Sequence, residues 1–181
     1  MLPASSEPVL PEATYHATDR QTPGRVEFID GRIVAMSGAS KQHNQVALNT
    51  AIALKQLADA QGCRTAIETV RLRIDEQNTF YPDVMISCNE DTDTHTETAP
   101  CLITEILSPS TSWVDNGRKR LAYMGLPSLR HYLLVDLENQ LVENLSRPTP
   151  NSDWTRTLHA RGNQINLFCP TGSVPVDQLF D

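Results

Sequence analysis

The sequence contains no apolar run long enough to cross a bilayer. It also lacks a basic start followed by an apolar stretch; Pro3, Ser5, Ser6, Pro8 and Pro11 occupy the segment where a secretory signal would lie. These two absences lead to the expectation of a soluble, cytoplasmic protein with no membrane partner. Cysteine is sparse. Cys63, Cys88, Cys101 and Cys169 form no C-x-x-C pair, and no histidine stands at zinc-site spacing from them. That pattern disfavours a thiolate zinc site and a disulfide framework, so four reduced thiols in or near the core are expected. Basic charge is lacking as well. With 15 Lys and Arg against 22 Asp and Glu, the net charge is -7. A protein that coats nucleic acid by charge alone needs a basic surface, and this composition excludes it. There is no Gly-rich phosphate loop of the Walker type, which argues against nucleoside triphosphate turnover.

What is present suits one domain with a short arm. The 181 residues are 39% hydrophobic, enough for one continuous core at this length. Residues 1–24 read as a partly flexible N-terminal arm, punctuated by Pro3, Pro8, Pro11 and Pro23, with at most a helical turn near 12–18. Residues 25–181 read as a single domain. Val26 and Phe28 on one side, and Ile33 and Val34 on the other, flank Asp30-Gly31, a dipeptide suited to a tight primed hairpin turn. Ser40 can cap a helix running to about Ala60, with Leu48, Ala51, Ile52 and Ala58 as its apolar stripe, Leu54 widening it and Gly62 as the stop.

Residues 64–74 alternate, with Val70, Leu72 and Ile74 facing one way and Arg71 and Arg73 the other. Strands are predicted over 80–87 and 102–107, separated by an acidic loop over 89–97. A helix is predicted over 115–124, entered through Ser108-Pro109-Ser110-Thr111, followed by strands over 132–136 and 141–145 and a further pair in the tail between 154 and 168. The succession describes an α/β (α+β) domain with a mixed sheet.

The sharpest chemical feature is a pair of carboxylates on neighbouring predicted strands. Asp83 sits in Tyr81-Pro82-Asp83-Val84, and Glu105 in Ile103-Thr104-Glu105-Ile106-Leu107. A carboxylate inside such an apolar strand is costly to bury unless something neutralises it. A divalent cation with oxygen ligands would do so; so would a strand-end position near solvent or an arginine. With its apolar flanks, Glu105 is the carboxyl whose acidity is expected to weaken. Lys119 shares one helix face with Asp115 and Tyr123, four residues to either side. It suits either stabilisation of charge on an attacked phosphate or a surface pair with Asp115. Ser108, Ser110 and Thr111 lack a paired histidine motif, and turn or cap roles suffice for them.

Taken in order, Glu27-Phe28-Ile29-Asp30-Gly31, Met36-Ser37-Gly38-Ala39-Ser40 with His43-Asn44, Tyr81-Pro82-Asp83-Val84, Glu105-Ile106-Leu107-Ser108-Pro109-Ser110-Thr111, Asp115-x-x-x-Lys119-x-x-x-Tyr123, Pro127-Ser128-Leu129 and Tyr132-x-Leu134-Val135-Asp136 resemble the Uma-two family of putative restriction endonucleases, within the PD-(D/E)xK nuclease superfamily. The resemblance spans about residues 25–147. It implies a restriction-endonuclease-like core, a mixed sheet flanked by helices, and a magnesium-dependent endodeoxyribonuclease, with manganese as an alternative ion. It implies Asp83 and Glu105 as metal ligands and the Ile106 carbonyl as a third. The superfamily pattern expects lysine two residues after the second acid, where this chain has Leu107. In this family the lysine moves to the following helix, which is Lys119 here.

Glu27 and His43 lie in matching segments and either approach the metal or stand as a hairpin residue and a first-turn residue. Tyr123 contacts phosphate or packs. Arg71, Arg73, Arg118 and Arg120 are the candidates for contacting DNA phosphates, against a solvated face as the plainer assignment. A homodimer is expected if duplex DNA is the substrate, because two-fold symmetry matches that of the duplex. The rival is a catalytically silent nuclease-fold module that binds nucleic acid or a protein partner.

Overall fold

The computed structural model describes residues 9–36, 38–90, 93–107 and 113–181. Residues 1–8 of the expected arm, and Ser108, Ser110 and Thr111 of the expected helix entry, lie outside the described residues.

In chain order the elements are α1 (Glu12–Gln21), β1 (Val26–Ile29), β2 (Arg32–Ala35), α2 (Lys41–Asp59), β3 (Arg64–Ile67), β4 (Arg71–Asp75), β5 (Asn78–Phe80), β6 (Val84–Ser87), β7 (Thr96–Glu97), β8 (Leu102–Leu107), α3 (Trp113–Met124), β9 (His131–Asp136), β10 (Leu141–Ser146), β11 (Thr155–Ala160), β12 (Gln164–Phe168), β13 (Thr171–Pro175) and α4 (Asp177–Phe180). They build a six-stranded mixed sheet in the order β11-β10-β9-β8-β6-β3, a five-stranded sheet in the order β2-β1-β5-β4-β7, and the β12-β13 hairpin. In the larger sheet β8 and β9 are parallel and the other neighbours antiparallel.

Side-chain alternation on β8 assigns the two faces of the large sheet. Leu102 and Ile106 enter one core with α2, β12, β13 and α4; Ile103 enters a second core with Tyr123, Leu126 and Leu129, and with Ile29, Leu72 and Phe80 of the smaller sheet. A third cluster, Tyr15 against Val26 and Phe28, docks α1 on the outer face of the smaller sheet. Residues 12–21 of the expected arm are therefore a packed helix. Tyr15 is fully buried and stacks on Phe28 at 5.1 Å between ring centroids.

The hairpin at Asp30-Gly31 forms as expected, with φ of 50° and 73° at the two turn residues. A side chain at Gly31 would also run into Val9, which lies against the turn where Leu10 N–H donates to the Gly31 carbonyl. Ser40 caps α2 by accepting from His43 N–H at 3.1 Å. The apolar stripe of that helix differs from expectation. Leu48 and Ile52 are about half exposed, and Val46, Ala47, Ala51, Ala53, Leu54 and Ala58 are buried. The helix is wedged between the large sheet and the β13–α4 segment, so small residues that permit close approach take the inward positions.

Two expected single strands are each divided. Residues 64–74 become β3 in the large sheet and β4 in the small one; residues 80–87 become β5 and β6, again in different sheets. The breaks face each other, with Glu68 N–H donating to the Pro82 and Asp83 carbonyls, and Glu68 holds a φ of 36°. Proline at 82 supplies no ladder donor, which suits the crossing from one sheet to the other. In the tail, β11 pairs with β10, while β12 pairs with β13, a strand not expected.

The cysteines are a correction. Instead of four free thiols, Cys63 is joined to Cys88 and Cys101 to Cys169. Sequence spacing could not show this, because the segments come together only across strands β3, β6 and β8 and the β12-β13 turn.

Candidate active site

The divided hairpin opens a cleft between the two sheets, with a volume of about 1560 Å³. Glu27, His43, Glu68, Asp83, Glu105 and Lys119 all line it. Each arrives by a different element. On β1, Val26 and Phe28 turn outward to α1, so Glu27 turns inward beside Ile29. Asp83 immediately precedes β6. Continuing the antiparallel register in which Val84 opposes Thr104 places Asp83 opposite Glu105, on the same sheet face. His43 comes from the capped first turn of α2, Glu68 from the β3–β4 break, and Lys119 and Tyr123 from α3.

The carboxylates are buried and tethered. Glu27, Asp83 and Glu105 have relative exposures of 5%, 9% and 8%. At those values bulk water cannot solvate them and each must be satisfied by the protein or a ligand. Asp83 Oδ2 accepts from Ile106 N–H at 2.7 Å and lies 3.3 Å from His43 Nε2. Glu105 Oε1 accepts from the Tyr123 hydroxyl at 2.8 Å and lies 3.7 Å from Lys119 Nζ. Glu27 Oε1 accepts from Lys119 Nζ at 2.7 Å and from Tyr81 N–H at 3.1 Å. Lys119 thus lies between Glu27 and Glu105, while Asp83 faces His43.

Burial and these contacts shift Glu105, Lys119, His43 and Tyr123. Burial pushes the Glu105 carboxyl up to about 7; Lys119 opposes the shift, and Asp83 and Glu27 reinforce it. For Lys119, burial favours the neutral amine, but Glu105 and Glu27 outweigh it and hold the ammonium more firmly than usual. The hydrogen bond to Asp83 raises His43 against the opposing effect of burial. Burial, with Glu105 adding to it, drives the Tyr123 phenol well above its ordinary value, so it remains a donor.

Of the residues singled out in the sequence, Asp83, Glu105, Lys119, Glu27, His43 and Ile106 meet at this cleft, and Tyr123 is buried beneath it on Glu105. Leu107 also lines the cleft and brings no charge to it. The four arginines do not gather there. Arg71 and Arg73 pair with Asp19 and Glu12 of α1, Arg118 pairs with Asp30, and Arg120 shares Glu143 with Arg156.

Glu68 was not foreseen. Its carboxylate, one His43 nitrogen and an Asp83 oxygen lie within 4.8 Å of one another, a second arrangement able to hold a cation. Arg25 donates to both the Glu68 carbonyl and its carboxylate. No sequence signal marks Glu68, because the alternation on either side reads through it. Chemically, the cleft offers a group of oxygen donors suited to magnesium or manganese and the part-buried Lys119 ammonium beside them.

Comparison with known proteins agrees with this architecture. The chain is 28% identical over 181 residues to the uncharacterized protein slr1290 of Synechocystis sp., covering 98% of this chain and 95% of that protein. It is 34% identical over 142 residues to the uncharacterized protein sll1609 of the same organism, covering 75% of this chain and 80% of that one. A crystal structure described as a putative nuclease belonging to DUF820, from Anabaena variabilis, superposes with a TM-score of 0.70 at 16% identity, over 89% of this chain and 94% of the other. That likeness establishes a shared restriction-endonuclease-like fold. The family model described as "Putative restriction endonuclease" matches residues 12–172, α1 included, and the chain belongs to that family, Uma2.

Proposed function

We propose that this protein is a metal-dependent endonuclease that hydrolyses phosphodiester bonds in DNA. The observation that carries this reading is the convergence in one cleft of Asp83, immediately before β6, and Glu105 on β8, with the part-buried Lys119 ammonium 3.7 Å from Glu105. The donor set fits magnesium or manganese: carboxylate oxygens, with the Ile106 carbonyl as a candidate third ligand. A Glu105 carboxyl raised to about 7 without metal is one that a divalent cation would convert to its ionised form. When bound, such an ion supplies positive charge to the scissile phosphate and acidifies water.

The chain's own residues do the rest. Ile106 N–H and His43 hold the Asp83 carboxylate in place. The Tyr123 hydroxyl orients Glu105. Lys119, held by Glu27, presents a fixed ammonium where negative charge accumulates on the phosphate oxygens. It takes the role for which the superfamily uses the position of Leu107.

The test is cleavage of duplex and single-stranded DNA with magnesium or manganese. Wild-type protein should cut, and Asp83→Asn and Glu105→Gln should each abolish cutting while unfolding stays cooperative. A second reading, binding without cutting, draws on one observation: Arg71, Arg73, Arg118 and Arg120 all engage carboxylates, leaving little charge committed to phosphate. Pure wild-type protein that cuts neither form of DNA with either ion would move that reading ahead.

A further inference from the structure

Outside the lining of the cleft, all four cysteines of the chain come together where β3, β6, β8 and the β12-β13 turn meet. Cys63 precedes β3, Cys88 follows β6, Cys101 precedes β8 and Cys169 lies between β12 and β13. Beyond the two bonded pairs, the Cys88 sulfur is 3.7 Å from that of Cys101 and 3.5 Å from that of Cys169. The sulfurs of Cys88, Cys101 and Cys169 all lie within 4.8 Å of one another. Two independent disulfides need their partners paired; they do not need the pairs stacked on each other.

Tetrahedral zinc with four thiolates does need this. With a zinc–sulfur distance of about 2.3 Å, the sulfurs of such a site stand roughly 3.8 Å apart. Two of the four cross-pair distances, both from Cys88, are close to that edge; the Cys63 sulfur lies outside the 4.8 Å group and has to turn in once its bond to Cys88 is reduced.

The scaffold around the sulfurs is held by bonds that do not involve them. Gln61 clamps the Cys169 turn to the Cys63 turn, donating to the Thr171 carbonyl and accepting from Thr171 N–H, both at 2.9 Å. Cys101 N–H donates to Ile86, and the Cys101 carbonyl accepts from Arg130 and His131 N–H groups. Phe168 N–H donates to His131 Nε2 at 2.8 Å, tying the segment before Cys169 to β9. Cys63 and Cys101 are buried, and Cys88 is at the surface, which gives an ion a way in.

We propose that these four cysteines are a zinc site, closed as a tetrathiolate when reduced and as two disulfides when oxidised. The conversion balances with a dithiol as reductant. Each protein disulfide accepts two electrons and two protons and becomes two thiols, and each dithiol leaves as its cyclic disulfide. Zinc then takes the place of the thiol protons, up to four per site. The site is separate in place and in ligand chemistry from the carboxylate cleft: sulfur donors select zinc, and oxygen donors select magnesium or manganese.

The full chain carrying Asp83→Asn, which weakens the carboxylate site, would be reduced with a dithiol, desalted without air and titrated with cobalt and then zinc. One cobalt per chain should bind with thiolate charge-transfer absorption and the intense visible bands of a tetrahedral ion, and one equivalent of zinc should bleach them. Zinc should also raise the melting temperature of the reduced protein but not of the oxidised protein. Cys88→Ser, at the exposed position, should weaken zinc binding at least tenfold while far-ultraviolet circular dichroism remains that of the reduced parent. Four titratable thiols in a folded, reduced chain that takes up no cobalt or zinc would overturn the proposal. So would zinc uptake that Cys88→Ser leaves unchanged.

Discussion

Lys119 and Glu105 carry the sharpest expectations at the scale of single residues. Lys119 is part-buried between Glu27 and Glu105, so it is no ordinary surface lysine. Lys119→Met should lower the cleavage rate by roughly 10²-fold or more, the scale for losing one charge-stabilising donor. Arg118→Met, one position earlier and about half exposed, should cost only salt-sensitive DNA affinity. Equal, mild effects of the two substitutions in single-turnover cleavage would remove Lys119 from the mechanism.

Glu105 predicts a pH dependence with a definite sign. Its carboxyl rises from an ordinary 4.5 to about 7 on folding, so the folded state holds the proton more tightly in between. The stability this group contributes is complete below pH 4.5 and is lost as pH rises through about 7. Cation binding needs the ionised form. Manganese affinity should therefore climb over the same interval and level off above it, with proton release seen in calorimetric titrations run in two buffers. A flat affinity from pH 5 to 8 would contradict a shared site at Glu105.

At the scale of elements, α1 holds β1 and hence Glu27 in position. Its contribution comes from Tyr15, fully buried against Phe28, more than from its ion pairs. Truncating a large buried aromatic costs about 3–5 kcal/mol, whereas a partly exposed pair such as Arg73–Glu12 contributes about 0–1 kcal/mol. Urea unfolding should show Tyr15→Ala losing several times more stability than Arg73→Ala. Similar small losses would mean that α1 docks weakly. The divided hairpin acts at the same scale. By passing from one sheet to the other at Glu68 and at Pro82, it places Asp83 at the mouth of a cleft instead of within a continuous ladder.

The whole molecule is acidic, at -7, and its candidate DNA-facing arginines are committed to internal carboxylates. These four arginines displace few counterions as long as they keep those carboxylates. Binding to a short duplex, measured in calcium, should show a shallow salt dependence, with a log–log slope nearer about -2 than the values near -6 to -9 of proteins with many phosphate contacts. A steep slope would show that the arginines exchange their carboxylates for phosphate on binding. Among the described residues, no helix is long and apolar enough to cross a membrane.

Local rules were enough to read several features from the sequence alone. Asp30-Gly31 dictates its turn through backbone sterics, Ser40 caps α2 through a bond three residues away, and β8 shows as an apolar run interrupted by one acid. The ordered motifs from Glu27 to Asp136 led to the family. What only the tertiary structure decided involves groups distant in sequence. Alternation is the same whether a strand continues or passes to another sheet, so the breaks at Glu68 and Pro82, and with them Glu68 as a neighbour of His43 and Asp83, left no periodic trace. The inward face of α2 depended on which elements flank it, which turned Leu48 and Ile52 outward. The four cysteines, up to 106 positions apart between Cys63 and Cys169, look isolated along the chain because spacing rules describe ligands that share a loop. Their meeting depends on strand order and on the β12-β13 hairpin folding back, and long-range packing alone determines that.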